Sequence, residues 1–290
     1  MRGWWQDLAD LALPAECGGC GRPRTVLCPR CRAVLAGAAP RRVRPEPEPS
    51  GLPAVHAAAP YADEVRAVLL AHKERGALAL AAPLGAALAG AVRAGLRQAP
   101  GVGAGGPVLL VPVPSARRAV RARGHDPTRR IALAAAAELR RCGTPARALA
   151  VLRQRRAVAD QSGLDSRQRR DNLAGALAVA GAGVRLLLGG PVVLVDDLMT
   201  TGASLAEAAR VVAAAARGAA SRGPAYDRAP DAVYAARTRE GMGDKNRGAR
   251  RKEGNSVYDT GEKPAAIGPG EVICAAVVAS SPDSFGINRN

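Results

Sequence analysis

The chain has 290 residues, of which 48% are hydrophobic and 2% aromatic, so it can bury one main core built from Ala, Val and Leu. Its formal net charge of +17 suits a nucleic-acid or polyphosphate partner, although the preference for Arg over Lys also fits a GC-rich coding bias. No segment is apolar and long enough to predict a signal peptide or a membrane span, so we expect a cytoplasmic protein.

Four of the six cysteines are clustered near the N-terminus. Cys17 and Cys20 form one Cys-x-x-Cys pair, and Cys28 and Cys31 form a second pair. Two such pairs can direct four thiolates at one point, which is the ligand set of a closed, tetrahedral zinc site. A redox motif would need only one pair. We therefore predict a small zinc-binding unit at residues 14–34, with a structural zinc ion.

The rest of the chain predicts a linker and one main domain. Residues 35–52 predict a linker, because the alternating prolines there oppose helix and sheet pairing. Residues 53–290 alternate between helical and short apolar segments, which is typical of an α/β fold with a central, mostly parallel sheet. The predicted helices are 62–71, 78–96, 128–141 and 205–217, and the predicted strands are 107–113, 149–152, 191–195 and 273–279.

Two segments of this domain have an unusual composition. Residues 218–270 are rich in Gly, Pro and charge, and we predict a disordered insertion there. Between Pro112 and Arg170 the chain has 15 Arg and 4 acidic residues. This uneven charge favours a local anionic ligand, although a solvated basic face would show the same pattern.

A run of polar side chains follows the clearest predicted strand, 191–195. Asp196 and Asp197 end the strand, and Thr200, Thr201, Gly202, Ala203 and Ser204 lead into a helix. Ligands of parallel sheets bind at the carboxyl ends of strands, and the N–H groups at a helix start suit a phosphate. The two acids can accept hydrogen bonds from vicinal sugar hydroxyls. The motif thus predicts a site for ribose 5-phosphate, whereas a capping box of Ser204 and Glu207 would explain those two residues alone.

The motif Val-Asp-Asp-x-x-Thr-Thr-Gly-x-Ser at 195–204 closely resembles the phosphoribosyl-diphosphate motif of type I phosphoribosyltransferases. The chain as a whole resembles the ComF family, which includes competence-associated and GntX-type proteins. This resemblance also rests on the four-Cys unit, on Val-Pro-Val-Pro at 111–114, on Arg-x-Arg-Gly at 121–124, and on Gln161, Arg169 and Asn172. It covers most of residues 14–217 and residues 273–290, and it implies a type I phosphoribosyltransferase fold.

The resemblance also implies roles for the residues of the motif. Asp196 and Asp197 would hold the ribose hydroxyls and stabilise the ribosyl group during transfer. Thr200 to Ser204, including Thr201, Gly202 and Ala203, would surround the 5-phosphate.

Residues outside the motif receive roles in the same way. Arg117 and Arg118 would contact the diphosphate together with Mg²⁺. Arg123 would belong to a flexible loop, 121–126, above the site. His125 and Asp126 replace the family's usual aromatic residue and Asn, which puts a role for these two positions in doubt. Lys73 stands where the family tends to have a basic residue, but it receives no role.

Three functions fit these patterns. The first is a phosphoribosyltransferase that binds phosphoribosyl diphosphate with magnesium and acts on an unknown acceptor. The second is a non-catalytic DNA-uptake accessory protein that contacts single-stranded DNA or a helicase partner. The third is a regulator that senses the ligand without turnover. The sequence leaves homo-oligomerisation open.

Overall fold

A six-stranded sheet forms the centre of the protein. The computed structural model describes residues 16–99, 106–156, 173–220 and 270–285. The strands in the described ranges are β1 (Arg41–Val43), β2 (Val55–Pro60), β3 (Val108–Pro112), β4 (Ala146–Ala148), β5 (Leu152–Gln154), β6 (Leu177–Val179), β7 (Val192–Met199) and β8 (Val272–Ser280). The order across the main sheet is β1-β2-β8-β7-β3-β4. Only β1 is antiparallel to its neighbour in this sheet, so the predicted α/β class with a mostly parallel sheet is confirmed.

Helices cover both faces of this sheet. They are α1 (Pro29–Ala36), α2 (Asp63–Glu74), α3 (Ala81–Gln98), α4 (Arg117–Arg123), α5 (Pro127–Arg141), α6 (Gly183–Leu187) and α7 (Ala203–Ala220), with 3-10 turns at Leu78–Leu80 and Pro282–Phe285. Side chains of α1, α2, α3 and α5 share one buried cluster. Side chains of α6, α7 and the antiparallel β5–β6 pair share the other.

The apolar run of β7 explains its central position. Val193 and Val195 point into the cluster with α3 and α5, whereas Val192 and Leu194 point into the cluster with α7. A parallel strand that is covered on both faces needs an apolar side chain at every position, and these residues are all fully buried.

Helix α5 shows how local sequence sets the element boundaries beside the site. The Asp126 side chain accepts a hydrogen bond from the backbone N–H of Arg129 at 3.1 Å and caps the helix. Pro127 follows at the first helical position, where its missing N–H has no cost. Ile131, Ala135 and Leu139 recur at helical spacing and are buried against the sheet.

Some predicted elements differ from the observed ones. The predicted strand 149–152 is observed only at Leu152, the first residue of β5. Leu149 donates a last hydrogen bond to Leu110 at 2.8 Å, and the chain then turns into β5. The prediction that prolines prevent sheet pairing in 35–52 is wrong at Arg41–Val43, which pair with β2. Strand β2 was not predicted, because its Val-His-Ala-Ala-Ala-Pro sequence has weak strand propensity. Burial between β1 and β8 decides its conformation.

One apolar helical segment in the described ranges, Leu78–Gln98, is long enough to cross a membrane, but most of it is buried inside the fold. Such burial is typical of the core helix of a soluble protein. Of the predicted insertion at 218–270, residues 218–220 complete α7 and Gly270 lies in a turn before β8. The remainder of that prediction lies outside the described residues.

Candidate functional site

The four clustered cysteines converge on one point. The Sγ atoms of Cys17, Cys20, Cys28 and Cys31 all lie within 4.8 Å of one another, and the Sγ atoms of Cys20 and Cys28 are 3.6 Å apart. A tetrahedral Zn²⁺ with Zn–S bonds of about 2.3 Å separates its sulfurs by about 3.8 Å. The four thiols could therefore bind a metal such as zinc with little movement.

Glycines and a helix start bring the thiols together. Gly21 adopts a left-handed φ of 74° in the first Cys-x-x-Cys turn, a conformation that favours glycine. A Cβ on Gly19 would lie 2.7 Å from the Cys31 sulfur, so only glycine fits there. Cys28 immediately precedes α1, and Pro29 opens that helix, which places Cys31 in its first turn.

The environment prepares some of these thiols to act as ligands. Burial raises the pKa of Cys17, but hydrogen bonds from the backbone of Cys28, Cys20 and Gly19 outweigh it and bring the pKa to about 6. The backbone of Cys31 lowers the pKa of Cys28. Burial raises the pKa of Cys31 itself. Deprotonated thiols are the form that binds metals.

The predicted acid pair lies at the carboxyl end of the sheet. The observed strand is longer than the predicted strand 191–195. Strand β7 continues through both acids to Met199. Strand β3 ends at Pro112 opposite Val195, whereas β8 accompanies β7 to its end. Asp196 and Asp197 therefore lie beyond the last residue of β3, on a strand that has lost one neighbour. This is the edge where parallel sheets bind ligands.

Asp197 is buried and bonded to a lysine. The Nζ atom of Lys73, in the last turn of α2, lies 2.8 Å from Oδ2 of Asp197. The side chain of Asp197 is 7% exposed and that of Lys73 is 33% exposed. Burial alone would lower the pKa of Lys73, but the charge and hydrogen bond of Asp197 outweigh it and raise the pKa. The ammonium form of Lys73 is therefore stabilised beside Asp197.

Asp196 lies beside this ion pair and contacts neighbouring groups of its own. Its Oδ1 accepts a hydrogen bond of 2.8 Å from the backbone N–H of Asp197, and the hydroxyl of Thr128 approaches the same oxygen at 3.5 Å. Burial and the neighbouring charge of Asp197 raise the pKa of Asp196 well above its usual value, and Lys73 opposes them only in part. A carboxyl held in this way is a strong acceptor for a ligand hydroxyl.

The predicted phosphate loop leads directly from β7 into α7. Gly202 has a φ of 73°, and a Cβ there would lie 3.0 Å from a Leu52 methyl carbon and 3.4 Å from Pro45. Thr200 is exposed and Thr201 is half-buried, whereas Ala203 is the first residue of the helix. The segment predicted as a linker therefore packs against this loop.

The helix start differs from a capping box. Ser204 lies inside α7, and the carboxylate of Glu207 accepts hydrogen bonds of 2.7 and 2.8 Å from Arg210. Glu207 therefore serves an ion pair on the helix surface.

The arginine segment is more ordered than the sequence predicted. Residues 121–126 form the end of α4 and the cap of α5 instead of a loop without structure. Arg117 and Arg118 are exposed at the start of α4. The guanidinium of Arg123 donates two hydrogen bonds, of 2.9 and 2.6 Å, to Glu74.

His125 and Asp126, which depart from the family pattern, have structural contacts. His125 is buried, and its two ring nitrogens lie 3.1 and 3.3 Å from the carbonyl oxygens of Arg123 and His72. Asp126 caps α5 and accepts a hydrogen bond from Ser115 at 3.3 Å. Gln161, Arg169 and Asn172 lie outside the described residues.

No family model matches this chain, and no curated protein matches it. What the protein does must therefore be inferred from the site. Sequence reasoning named Lys73 without a role and missed Thr128. A clue to Lys73 was available, because it is the first of only four lysines in an arginine-rich chain, and the next is Lys245.

A large cavity in the described part of the chain is separate from the acid pair. It has a volume of about 1010 Å³ and lies between residues 49–53 and the outer side of α7. Its walls are mostly Ala, Gly and Pro, with Glu207, Arg210 and Arg217 as charged groups. Neither Asp196 nor Asp197 lines it.

Proposed function

We propose that the protein binds 5-phosphoribosyl 1-diphosphate at the junction of β7 and α7 and transfers the phosphoribosyl group to an acceptor, as a type I phosphoribosyltransferase of the ComF kind. One observation carries the proposal. An acid pair of buried Asp197 and half-buried Asp196 lies at the open carboxyl edge of a parallel sheet, and five residues that include a Thr-Thr-Gly turn join it to an 18-residue helix.

The helix end of this junction suits the 5-phosphate. The first N–H groups of α7 have no partner within the helix and coincide with the positive end of its dipole. Gly202 adopts the left-handed φ of 73° that the turn before the helix requires. Thr200, Thr201 and Ser204 add hydroxyl donors, so the phosphate would be held chiefly by hydrogen bonds and the helix dipole.

The acid end suits the ribose hydroxyls. Two adjacent carboxyl groups can accept from the two vicinal hydroxyls, and any negative charge on them beyond the single ammonium of Lys73 is left to act on the ligand. As the bond from C1 to the diphosphate oxygen breaks, positive charge develops on the ribosyl group, and this negative charge stabilises it. The acceptor's lone pair forms the new bond to C1, and diphosphate leaves with the electron pair of the old one.

Magnesium fits this site as a companion of the ligand. Asp197 is already bonded to the ammonium of Lys73, so the acid pair has no free pair of carboxylates for a cation. When bound, Mg²⁺ on the diphosphate would neutralise part of the leaving group's charge. The exposed Arg117 and Arg118 at the start of α4 would supply the remaining positive charge.

For the four-Cys unit we propose a structural zinc ion. All four ligand positions are thiols, which leaves no position for a substrate or a water molecule. Three of the four cysteines are buried in the same core as α2 and α3, so the metal would stabilise the fold next to Lys73.

The arginines of α4 favour a second candidate function, which is binding to DNA. Helix α4 has four arginines and no acidic residue, a composition that suits the phosphate backbone of single-stranded DNA. A DNA-uptake accessory role would use this surface and would not need the acid pair. A ligand sensor would need the acid pair but no acceptor.

Calorimetry with phosphoribosyl diphosphate and Mg²⁺ tests the proposal. We expect the zinc-loaded parent to bind, the Asp196→Asn/Asp197→Asn variant to lose binding, and Glu138→Gln, a surface variant of the same chemistry at the other end of α5, to bind like the parent. Diphosphate release with a panel of bases then separates transfer from sensing. Failure of the folded parent to bind would refute the proposal, and salt-sensitive DNA binding that survives the double substitution would favour the accessory role.

A further inference from the structure

Lys73 reaches the acid pair from a different element. It belongs to the last turn of α2, 124 residues before Asp197 in the chain, and its Nζ lies 2.8 Å from the Asp197 carboxylate. Neighbouring residues hold this end of α2 in place: Glu74 forms two hydrogen bonds with Arg123 of α4. The ammonium is therefore a fixed part of the site.

Without that ammonium, the acid pair would resemble a divalent-cation site. Hard divalent cations such as Mg²⁺ and Mn²⁺ bind through one or two carboxylates and keep several waters. Asp196 and Asp197 are adjacent, and the Thr128 hydroxyl lies 3.5 Å from Asp196 Oδ1. Lys73 occupies the carboxylate oxygen of Asp197 to which a cation would bind.

We propose that Lys73 is a positioning and specificity-determining residue, whose ammonium keeps free divalent cations off the acid pair and so preserves the pair as a hydrogen-bond acceptor. That the hydrogen-bond donors are ribose hydroxyls rests on the proposed function. The exclusion of cations depends only on the contact between Lys73 and Asp197. Magnesium then enters the site only with the ligand's diphosphate.

Mn²⁺ binding, measured by electron paramagnetic resonance on the full-length, zinc-loaded chain without any sugar phosphate, tests this role. Lys73→Met removes the charge at similar length, Lys73→Arg keeps it, and Lys73→Met/Asp197→Asn removes the carboxylate as well. An opposite charge at this distance commonly lowers the affinity of a carboxylate for a proton about tenfold or more, and it repels a divalent cation for the same electrostatic reason. We expect Lys73→Met to bind one additional Mn²⁺ at least about tenfold more tightly than the parent, and the double variant to lose that gain. We expect Lys73→Arg to bind like the parent.

Equal Mn²⁺ affinity of the parent and Lys73→Met, or an equal gain in Lys73→Arg, would overturn the proposal. If Lys73→Met does not fold without metal, millimolar Mn²⁺ should restore its cooperative melting transition, and a failure to do so counts against the proposal in the same way. No sugar phosphate is present, so the outcome does not depend on whether the protein binds phosphoribosyl diphosphate. A parent that fails to bind that ligand while Lys73→Met gains Mn²⁺ would refute only the proposed function.

Discussion

Replacing Asp196 by Asn should make the protein more stable. In the parent, two carboxyl groups share the ammonium of Lys73, and burial together with Asp197 raises the pKa of Asp196, so an ionised Asp196 is an unbalanced charge that destabilises the native state. The variant keeps the Lys73–Asp197 ion pair and removes the unbalanced charge. The Asn side-chain oxygen can still accept from the backbone N–H of Asp197, which lies 2.8 Å from Oδ1 in the parent. The substitution therefore removes the charge but keeps this hydrogen bond.

The size and pH dependence of this gain follow from the charge. Single stabilising substitutions commonly contribute about 0.5–2 kcal/mol, which for a domain of this size raises Tm by about 1–8 °C. The native pKa of Asp196 is raised by burial and by Asp197. Between the ordinary and the raised pKa, the native state therefore binds more protons than the unfolded state. The parent thus gains stability, relative to the variant, as pH falls through the raised pKa, and the difference between the two shrinks.

Thermal melting of the zinc-loaded parent and Asp196→Asn at about pH 8 and about pH 5 measures both effects. Asp197→Asn is the matched comparison, because it leaves Lys73 without its partner and should lower Tm. A lower Tm for Asp196→Asn at pH 8, or a difference that does not change with pH, would refute the assignment of the unbalanced charge to Asp196.

Three further predictions concern other parts of the structure. Gly202→Ala should destabilise the protein more than Gly124→Ala in urea unfolding, since both have a φ of 73° but only a Cβ at 202 meets a leucine side chain, at 3.0 Å. The conformation alone costs about 1–2 kcal/mol in each, and equal losses would contradict the packing argument. The parent should hold one zinc ion per chain by metal analysis and Cys31→Ser should bind it more weakly, whereas a metal-free, fully stable parent would contradict the site. Asp197→Asn should acetylate several-fold faster at Lys73 by peptide mass spectrometry, because loss of the partner lets burial lower the lysine pKa, and an unchanged rate would show that the ion pair does not control it.

The fold class could be predicted because its main signals are local. The apolar run of β7 and the helical spacing of Ile131, Ala135 and Leu139 in α5 are readable in the sequence alone. Strand β2 could not be predicted, because alanine is a poor strand former and the conformation of β2 depends on its pairing with β1 and with the distant strand β8. The same holds for β1, whose pairing partner begins 12 residues later.

Some residues of the candidate site could be named from the sequence, and others could not. The four cysteines and the acid pair are contiguous motifs, so their residues could be named from spacing. The partner of Asp197 could not, because Lys73 is 124 residues away and only the packing of α2 against the sheet brings it near. The helical conformation at the end of α4 could not be predicted, because the Asp126 cap and the Arg123–Glu74 pair depend on groups that the motif does not contain.

The four-Cys unit lies in the same core as the sheet, so we do not expect the rest of the chain to fold stably without it. Cys17, Leu27 and Leu35 pack in one cluster with Val68 and Leu84. A protein that began after residue 40 would expose apolar surface of α2 and α3 to water, so we expect it to aggregate. Metal bound by the thiols would shift the folding equilibrium of the entire domain, by an amount that grows with the logarithm of free metal concentration. A cell short of that metal would then lose the whole folded protein, including an acid pair that never touches the metal.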